Sequence, residues 1–134
     1  MENCVFCKII RGELPCRKIF EDEWTMAFLD ISKDVDGHIL VVPKNHVKNI
    51  LDADEKTLSR VMNTVKKVSN HLTENCGYDG VNLLNASDES AQQSVFHLHI
   101  HIIPRKKNDG LDCFPKLPGA KFELDEMLGK LKID

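Results

Sequence analysis

The stretch His97-Leu98-His99-Ile100-His101-Ile102-Ile103-Pro104 decides the reading of this chain. Imidazoles and large apolar residues alternate with period two, the pattern of a half-buried β-strand whose successive side chains point to opposite faces. Leu98, Ile100 and Ile102 are then expected to face a core, with His97, His99 and His101 sharing the other face. A solvated face needs only Lys, Thr or Glu, yet half of the chain's six histidines stand here. Imidazole exchanges its proton near neutral pH, so it can attack, take up protons, or bind metal and phosphate. Beside an ordinary polar face, the spacing leaves two chemical readings open. A His-x-His pair on a strand suits a zinc or iron chelate. The same strip suits a nucleophilic, phosphate-binding cluster.

Composition narrows the setting. The 134 residues are enough for one domain with a real core. A hydrophobic content of 42% and a charged content of 29% are ordinary for a soluble globular chain. The net charge of −3 lacks the basic stripe that nucleic-acid binding usually demands, so no nucleic-acid partner is expected. Lys44, Lys48, Arg105, Lys106 and Lys107 are local exceptions, suited to a small anion or simply to a solvated surface. Met1-Glu2-Asn3-Cys4 shows no basic region leading into an apolar run, so no signal peptide is expected. No apolar stretch approaches the roughly 18 residues that span a bilayer, which makes cytoplasmic residence without a membrane partner the expectation. Five cysteines suit a closed disulfide framework poorly, and the Cys4-x-x-Cys7 pair suggests a metal or redox site instead.

Outward from the histidine strip, Val5–Gly12 reads as one or two helical turns stopped by Gly12 and Pro15. Two short strands are predicted near Arg17–Glu21 and Thr25–Asp30, joined by an acidic turn at Asp22-Glu23. Asp36-Gly37 marks a tight turn into the apolar strand His38-Ile39-Leu40-Val41-Val42, which Pro43 ends. Residues 54–76 form the long helix, with Leu58, Val61, Met62, Val65, Val68 and Leu72 as one apolar stripe. Asp52 and Glu55 resemble a capping box, Gly77 a C-terminal stop, and Met62 and His71 a core and a flanking residue. Gly80–Asn85 alternates as another strand, Ala86–Gln93 is a polar loop, and Leu124, Met127, Leu128 and Leu131 mark a short closing helix. Strands segregated from helices and joined by tight connections favour an α+β domain with an antiparallel sheet of about five strands.

The strip His-apolar-His-apolar-His followed by two apolar residues resembles the motif of the histidine triad (HIT) superfamily. Phe6-Cys7-Lys8-Ile9-Ile10, Gly12-Glu13-Leu14-Pro15, Phe28-Leu29-Asp30-Ile31, Gly37–Lys44 and Gln93-Ser94-Val95 match that family in order. The resemblance implies a single domain over residues 1–134, with an N-terminal segment 1–16, a core of about 17–104 and a tail 105–134. It also implies a purine nucleotide-binding hydrolase or transferase that breaks the bond between an α-phosphate and its substituent. The motif's central histidine, here His99, is then the nucleophile, giving a nucleotidyl-histidine that water resolves without any catalytic cofactor. Similarity assigns His101, Ser94 and the Val95 N–H to the phosphoryl oxygens, with His38 nearby. Asn85 and Gln93 match positions near the phosphate or ribose, and Asp30 matches the acceptor of the ribose hydroxyls. Val5, Phe6, Ile9, Phe28 and Ile31 would form the slot for the base, although core packing explains such residues equally well.

Some bacterial members of the family hold a structural zinc, and Cys4, Cys7, His46 and His97 resemble that arrangement. His97 is then a ligand rather than a catalyst, and Cys16, Cys76 and Cys113 read as structural. The family also implies a homodimer. Two departures stand out. Gln92 occupies the place of the glycine that usually precedes Gln-Ser or Gln-Thr, in a loop that carries Asp88 and Glu89. After Pro104 the chain lacks the tryptophan-containing tail of the Hint branch and resembles the general prokaryotic branch. A nucleoside phosphoramidase is therefore expected first. A dinucleoside polyphosphate hydrolase, a non-catalytic nucleotide-binding module and a metal-dependent enzyme remain the alternatives.

Overall fold

The computed structural model describes residues 3–134; Met1 and Glu2, which open the expected N-terminal segment, lie outside the described residues. In chain order it comprises α1 (Val5–Ile10), β1 (Lys18–Glu21), β2 (Thr25–Leu29), β3 (Ile39–Pro43), α2 (Glu55–Asn75), β4 (Gly80–Leu84), a single 3₁₀ turn at Glu89–Ala91, β5 (Ile100–Arg105) and α3 (Leu124–Leu131). The five strands pair antiparallel throughout, in the order β1-β2-β3-β5-β4, so the fold is α+β. No helix among the described residues is long and apolar enough to cross a membrane.

The sheet is covered on both faces. On one face Ala27, Ile39, Val41, Leu98 and Ile102 pack against Val61, Val65, Val68 and Leu72 of α2. On the other face Met26, Phe28, Leu40 and Val42 pack against Phe6 of α1. This is the face on which His101 lies, because its cross-strand partner is Leu40, whose partner in turn is Phe28. The predicted division of the strip therefore holds, with Leu98 and Ile102 in the larger core. Two of the histidines lie under the N-terminal helix, with the Phe6 ring 5.8 Å from that of His97 and 5.1 Å from that of His99.

Three expectations are corrected. The strand begins at Ile100 and not at His97, because the Leu98 N–H bonds the Val47 carbonyl at 2.8 Å, outside the ladder with β3. Met62 is 46% exposed; Thr57 and Thr64 complete the buried face of α2 in its place, and Thr64 Oγ1 meets Thr25 Oγ1 at 2.6 Å. The cap of α2 is Asp54, whose carboxylate accepts from Thr57 N–H, whereas Asp52 accepts from Lys48 N–H and Asn49 N–H in the preceding turn. At the other end Gly77 takes φ +82° and lets Tyr78 N–H return to the Leu72 carbonyl, as a C-terminal glycine does.

Gly37 matters more for the site. Its φ is +77°, and a Cβ there would lie 3.0 Å from Pro104 Cγ, so only glycine fits between the β2–β3 connection and β5. The next residue is His38. At the end of β5 the Arg105 guanidinium donates to both oxygens of Asp109, and those hydrogen bonds, joined by the backbone N–H groups of Leu111 and Lys106, hold the carboxyl well below the usual carboxylate range. That pair ties the start of the tail to the sheet, whereas α3 buries no residue.

Candidate active site

Ten of the residues expected to touch a nucleotide line one cleft of about 880 Å³ between α1, the end of β2 and the histidine strip. Phe6 and Phe28 form its floor, edge to face with ring centroids 5.7 Å apart. Ile9, the partly exposed Val5 and the 84%-exposed Ile31 lie toward its rim. Asp30 stands just past β2 with one carboxylate oxygen accepting from Ser32 N–H at 2.8 Å. Ser94, Val95, His99 and His101 close the remaining side. The sequence reading missed Leu14, Pro15, Cys16 and Arg17, which complete the far wall, and Leu40 below them. Nothing in their spacing signals this; they reach the cleft because the chain folds back after α1. Cys16, expected to be structural, is thus a lining residue, while Cys76 is exposed and Cys113 half-buried.

His99 is held for attack. Its Nδ1–H donates to the His97 carbonyl at 2.8 Å, which leaves the Nε2 lone pair as the free ring nitrogen. Asn85 does not line the cleft. Its Nδ2 donates to the His99 carbonyl at 2.9 Å and so fixes the backbone that carries the ring. Burial lowers the His99 pKa, partly offset by its bond to the His97 carbonyl, so the ring is neutral at pH 7.

Gln93 also lies outside the cleft. Its amide donates to the Lys48 and Val95 carbonyls at 2.7 and 2.9 Å and accepts from Asp88 N–H and Asn49 Nδ2. It is a strut that sets Ser94 and Val95, with no group left over for a ligand. Just before it, Gln92 keeps the left-handed conformation, φ +70° and ψ 32°, that a glycine would adopt more cheaply. The loss of the glycine therefore leaves the backbone path of the loop in that conformation. Asp88 of the same loop is ion-paired with Lys48 at 2.6 Å.

His101 faces the cleft with its Nδ1 turned to His38 Nε2, 2.8 Å away. Burial pulls the His101 pKa down to about 4, with the neighbouring histidines adding to the effect. His38 is buried behind it, 3.6 Å from Asp30 Oδ2, and its Nδ1 meets Asp34 Oδ1 at 2.8 Å. Asp34 carried no signal in the sequence.

The second predicted constellation also comes together. Cys4 Sγ, Cys7 Sγ, His46 Nδ1 and His97 Nδ1 all lie within 4.8 Å of one another. Three of the four sulfur–nitrogen separations, Cys4–His97, Cys7–His46 and Cys7–His97, are 3.3, 3.4 and 3.6 Å. Tetrahedral zinc with ordinary Zn–S and Zn–N bonds needs about 3.5 Å along such an edge. The fully buried His97 donates its Nε2–H to the Pro43 carbonyl at 2.9 Å, which turns the Nδ1 lone pair to the sulfurs. Burial lowers the His97 pKa to about 4 and raises that of the Cys7 thiol. The donor set thus fits a zinc ion by type, number and spacing.

Known proteins resemble this chain over most of its length. The HIT domain family matches residues 11–108. The chain is 46% identical to the protein hit of Bacillus subtilis over 127 residues, covering 94% of this chain and 88% of the relative. It is 35% identical to adenosine 5'-monophosphoramidase hnt1 of Schizosaccharomyces pombe, covering 97% of this chain and 99% of that one. The crystal structure of a Zn-bound histidine triad family protein from Mycobacterium smegmatis superposes with a TM-score of 0.79 at 34% identity, over 88% of this chain and 85% of that one. With its histidine strip, its cleft and a matched segment that runs through most of its length, the chain belongs to the HIT family.

Proposed function

We propose that this protein hydrolyses purine nucleoside 5'-phosphoramidates, or related nucleotidyl conjugates, at the α-phosphate. The observation that carries the reading is the buried, neutral His99, whose Nδ1–H is committed to a backbone carbonyl and whose Nε2 faces an apolar cleft. The named activity of the fission-yeast relative, a monophosphoramidase, supports the same reaction class.

The base lies between Phe6, Ile9 and Phe28, and Asp30 accepts the ribose hydroxyls. This leaves the α-phosphate beside His99, with Ser94, the Val95 N–H and His101 around its oxygens. His99 Nε2 attacks phosphorus and the leaving group departs, which splits one difficult displacement into two easier ones. Throughout, the His97 carbonyl stabilises the proton on Nδ1 as the ring gains positive charge. Water then attacks the nucleotidyl-histidine and releases the nucleoside monophosphate. Every donor in this scheme is a protein group, and no catalytic cofactor takes part.

Cys4, Cys7, His46 and His97 would hold a structural zinc, which when bound pins α1 and its N-cap to the turn after β3 and to the strip. The protein is a homodimer in this reading. Phe114, Leu117, Phe122, Leu124, Leu128 and Leu131 of the tail are 61–83% exposed in one protomer, an apolar surface that a second copy would cover. Five free thiols suit a reducing compartment such as the cytoplasm.

The test is turnover of adenosine 5'-phosphoramidate and of diadenosine polyphosphates by the wild type and by His99→Ala. Preferred cleavage of the phosphoramidate, lost in the variant while AMP still binds, is the expected result. Preference for the polyphosphate moves the protein to the dinucleotide branch, and AMP binding without turnover of either compound makes it a binding module.

A further inference from the structure

Behind the catalytic face runs a chain of three side chains that the nucleophile does not explain. Asp34 Oδ1 lies 2.8 Å from His38 Nδ1, and His38 Nε2 lies 2.8 Å from Nδ1 of His101. Asp34 belongs to the β2–β3 connection and its side chain is 56% exposed, whereas that of His38 is 8% exposed. We infer that Asp34 is a positioning residue that makes the His38–His101 pair a store for one proton, the proton handed to the leaving group. This rests on the proposed hydrolysis.

Counting protons leads to the inference. A carboxylate can only accept, so His38 must carry hydrogen on Nδ1 to bond Asp34. One further hydrogen fills the gap between His38 Nε2 and His101 Nδ1. If the pair is neutral, that second hydrogen belongs to His101 Nδ1, and His101 Nε2 meets the substrate with a bare lone pair. Such a ring repels phosphoryl oxygens and has nothing to give a departing amine. With a third proton the pair carries one positive charge, and His101 Nε2 becomes a donor. In the ligand-free fold burial keeps His101 neutral at pH 7, so the third proton is taken up together with the substrate: the bound phosphate favours the charged pair from one end and the negative charge of Asp34 from the other.

Other charged groups near His38 do not replace Asp34. Asp30, at the end of β2, stands 3.6 Å from His38 Nε2 and its other oxygen is engaged by Ser32 N–H. His101 faces it from β5, with His99 next in line at a ring-centroid distance of 4.9 Å from His101. Arg17, Lys33 and Asp36 line the adjoining cleft. Among the described residues only Asp34 accepts at Nδ1, and it thereby fixes which His38 nitrogen is left to face His101.

His99 Nε2 forms a bond to phosphorus as the phosphorus–nitrogen bond of the substrate breaks, and the electron pair of that bond takes the proton from His101 Nε2, so a neutral amine leaves. Water next attacks phosphorus, its proton goes to His101 Nε2, and the electron pair of the P–His99 bond returns to His99.

Two measurements on Asp34→Asn, which keeps an acceptor but loses the charge, test the inference. In the AMP complex, ¹⁵N spectra of the imidazoles should show the His38–His101 pair titrating with a midpoint about one pH unit lower than in wild type. In turnover, kcat for an adenosine phosphoramidate of a basic alkylamine should fall about tenfold at pH 7.5. For one with a weakly basic aromatic amine, kcat should change less than twofold, and KM should hold for both. Asp34→Glu should restore most of both effects. An unchanged imidazole titration overturns the inference, as does an equal loss for the two amines. If wild type turns over neither compound while the titration moves as expected, the proton store stands and the proposed hydrolysis fails.

Discussion

Removing metal from the Cys4-Cys7-His46-His97 cluster should lower the melting temperature by about 10–15 °C. Three of the four sulfur–nitrogen edges of the donor set already measure 3.3–3.6 Å and every donor lies within 4.8 Å of the others, so binding requires little rearrangement of the fold. Cross-links between Cys7 and His46 and between Cys7 and His97 join positions 39 and 90 residues apart, contacts that the unfolded chain does not preserve. For a free metal concentration a thousandfold above the dissociation constant, binding adds about 4 kcal/mol to the folded state. A chain of 134 residues unfolds with an entropy of roughly 0.28 kcal/mol/K, which converts that energy to about 15 °C. Zinc held by the Cys-x-x-Cys pair of the unfolded chain takes back part of this. The assay is a melting curve with one equivalent of zinc and again after chelation, on wild type and on Cys7→Ser. One zinc per chain is expected, with a shift that drops below about 3 °C in the variant. A melting temperature indifferent to zinc, or the full shift retained in Cys7→Ser, refutes it.

Three further outcomes follow from single contacts. Gln92→Gly should raise the melting temperature by about 2–3 °C, because φ +70° costs glutamine about 1–2 kcal/mol and glycine's extra freedom when unfolded returns part of it; differential scanning calorimetry reads the sign directly. Asn85→Ala removes the donor to the His99 carbonyl and should lower kcat about tenfold with the affinity for AMP, measured by calorimetric titration, changed less than threefold. The pKa of His101 is about 4 in the fold against about 6.5 unfolded, so its contribution to stability is intact above pH 6.5 and is lost as the pH falls toward 4, when only the unfolded chain takes up the proton. Melting temperatures measured over that range should therefore fall less steeply for His101→Gln than for wild type.

Alternation in the strip from His97 to Ile103 was enough to separate the core residues Leu98 and Ile102 from the histidines, because side-chain direction in an extended chain follows residue parity. The stripe of α2 was legible for the same kind of reason. Local periodicity could not tell that His97 precedes the ladder, since that depends on a bond between Leu98 and Val47, far apart in sequence. Nor could it tell that Met62 lies beside the stripe while Thr64 is buried, because the sheet opposite supplies Thr25 as a partner. Resemblance to a family carried Asn85 and Gln93 toward the nucleotide, but their amides are spent on the backbone of His99 and of the loop around Val95. Asp34 was illegible altogether: a carboxylate four residues before a histidine, in a connection with no regular period, becomes meaningful only when the turn at Gly37 brings the two together.

The central claim is that His99 bonds to the phosphorus of the substrate. The direct measurement is a single-turnover reaction with a phosphoramidate labelled in its nucleoside, quenched at alkaline pH, where phosphoryl-histidine survives, followed by peptide mass spectrometry. One nucleotidyl group is expected, carried on His99 and absent from His99→Ala. Product released within the first turnover with no label on the protein, or label on another residue, would contradict it.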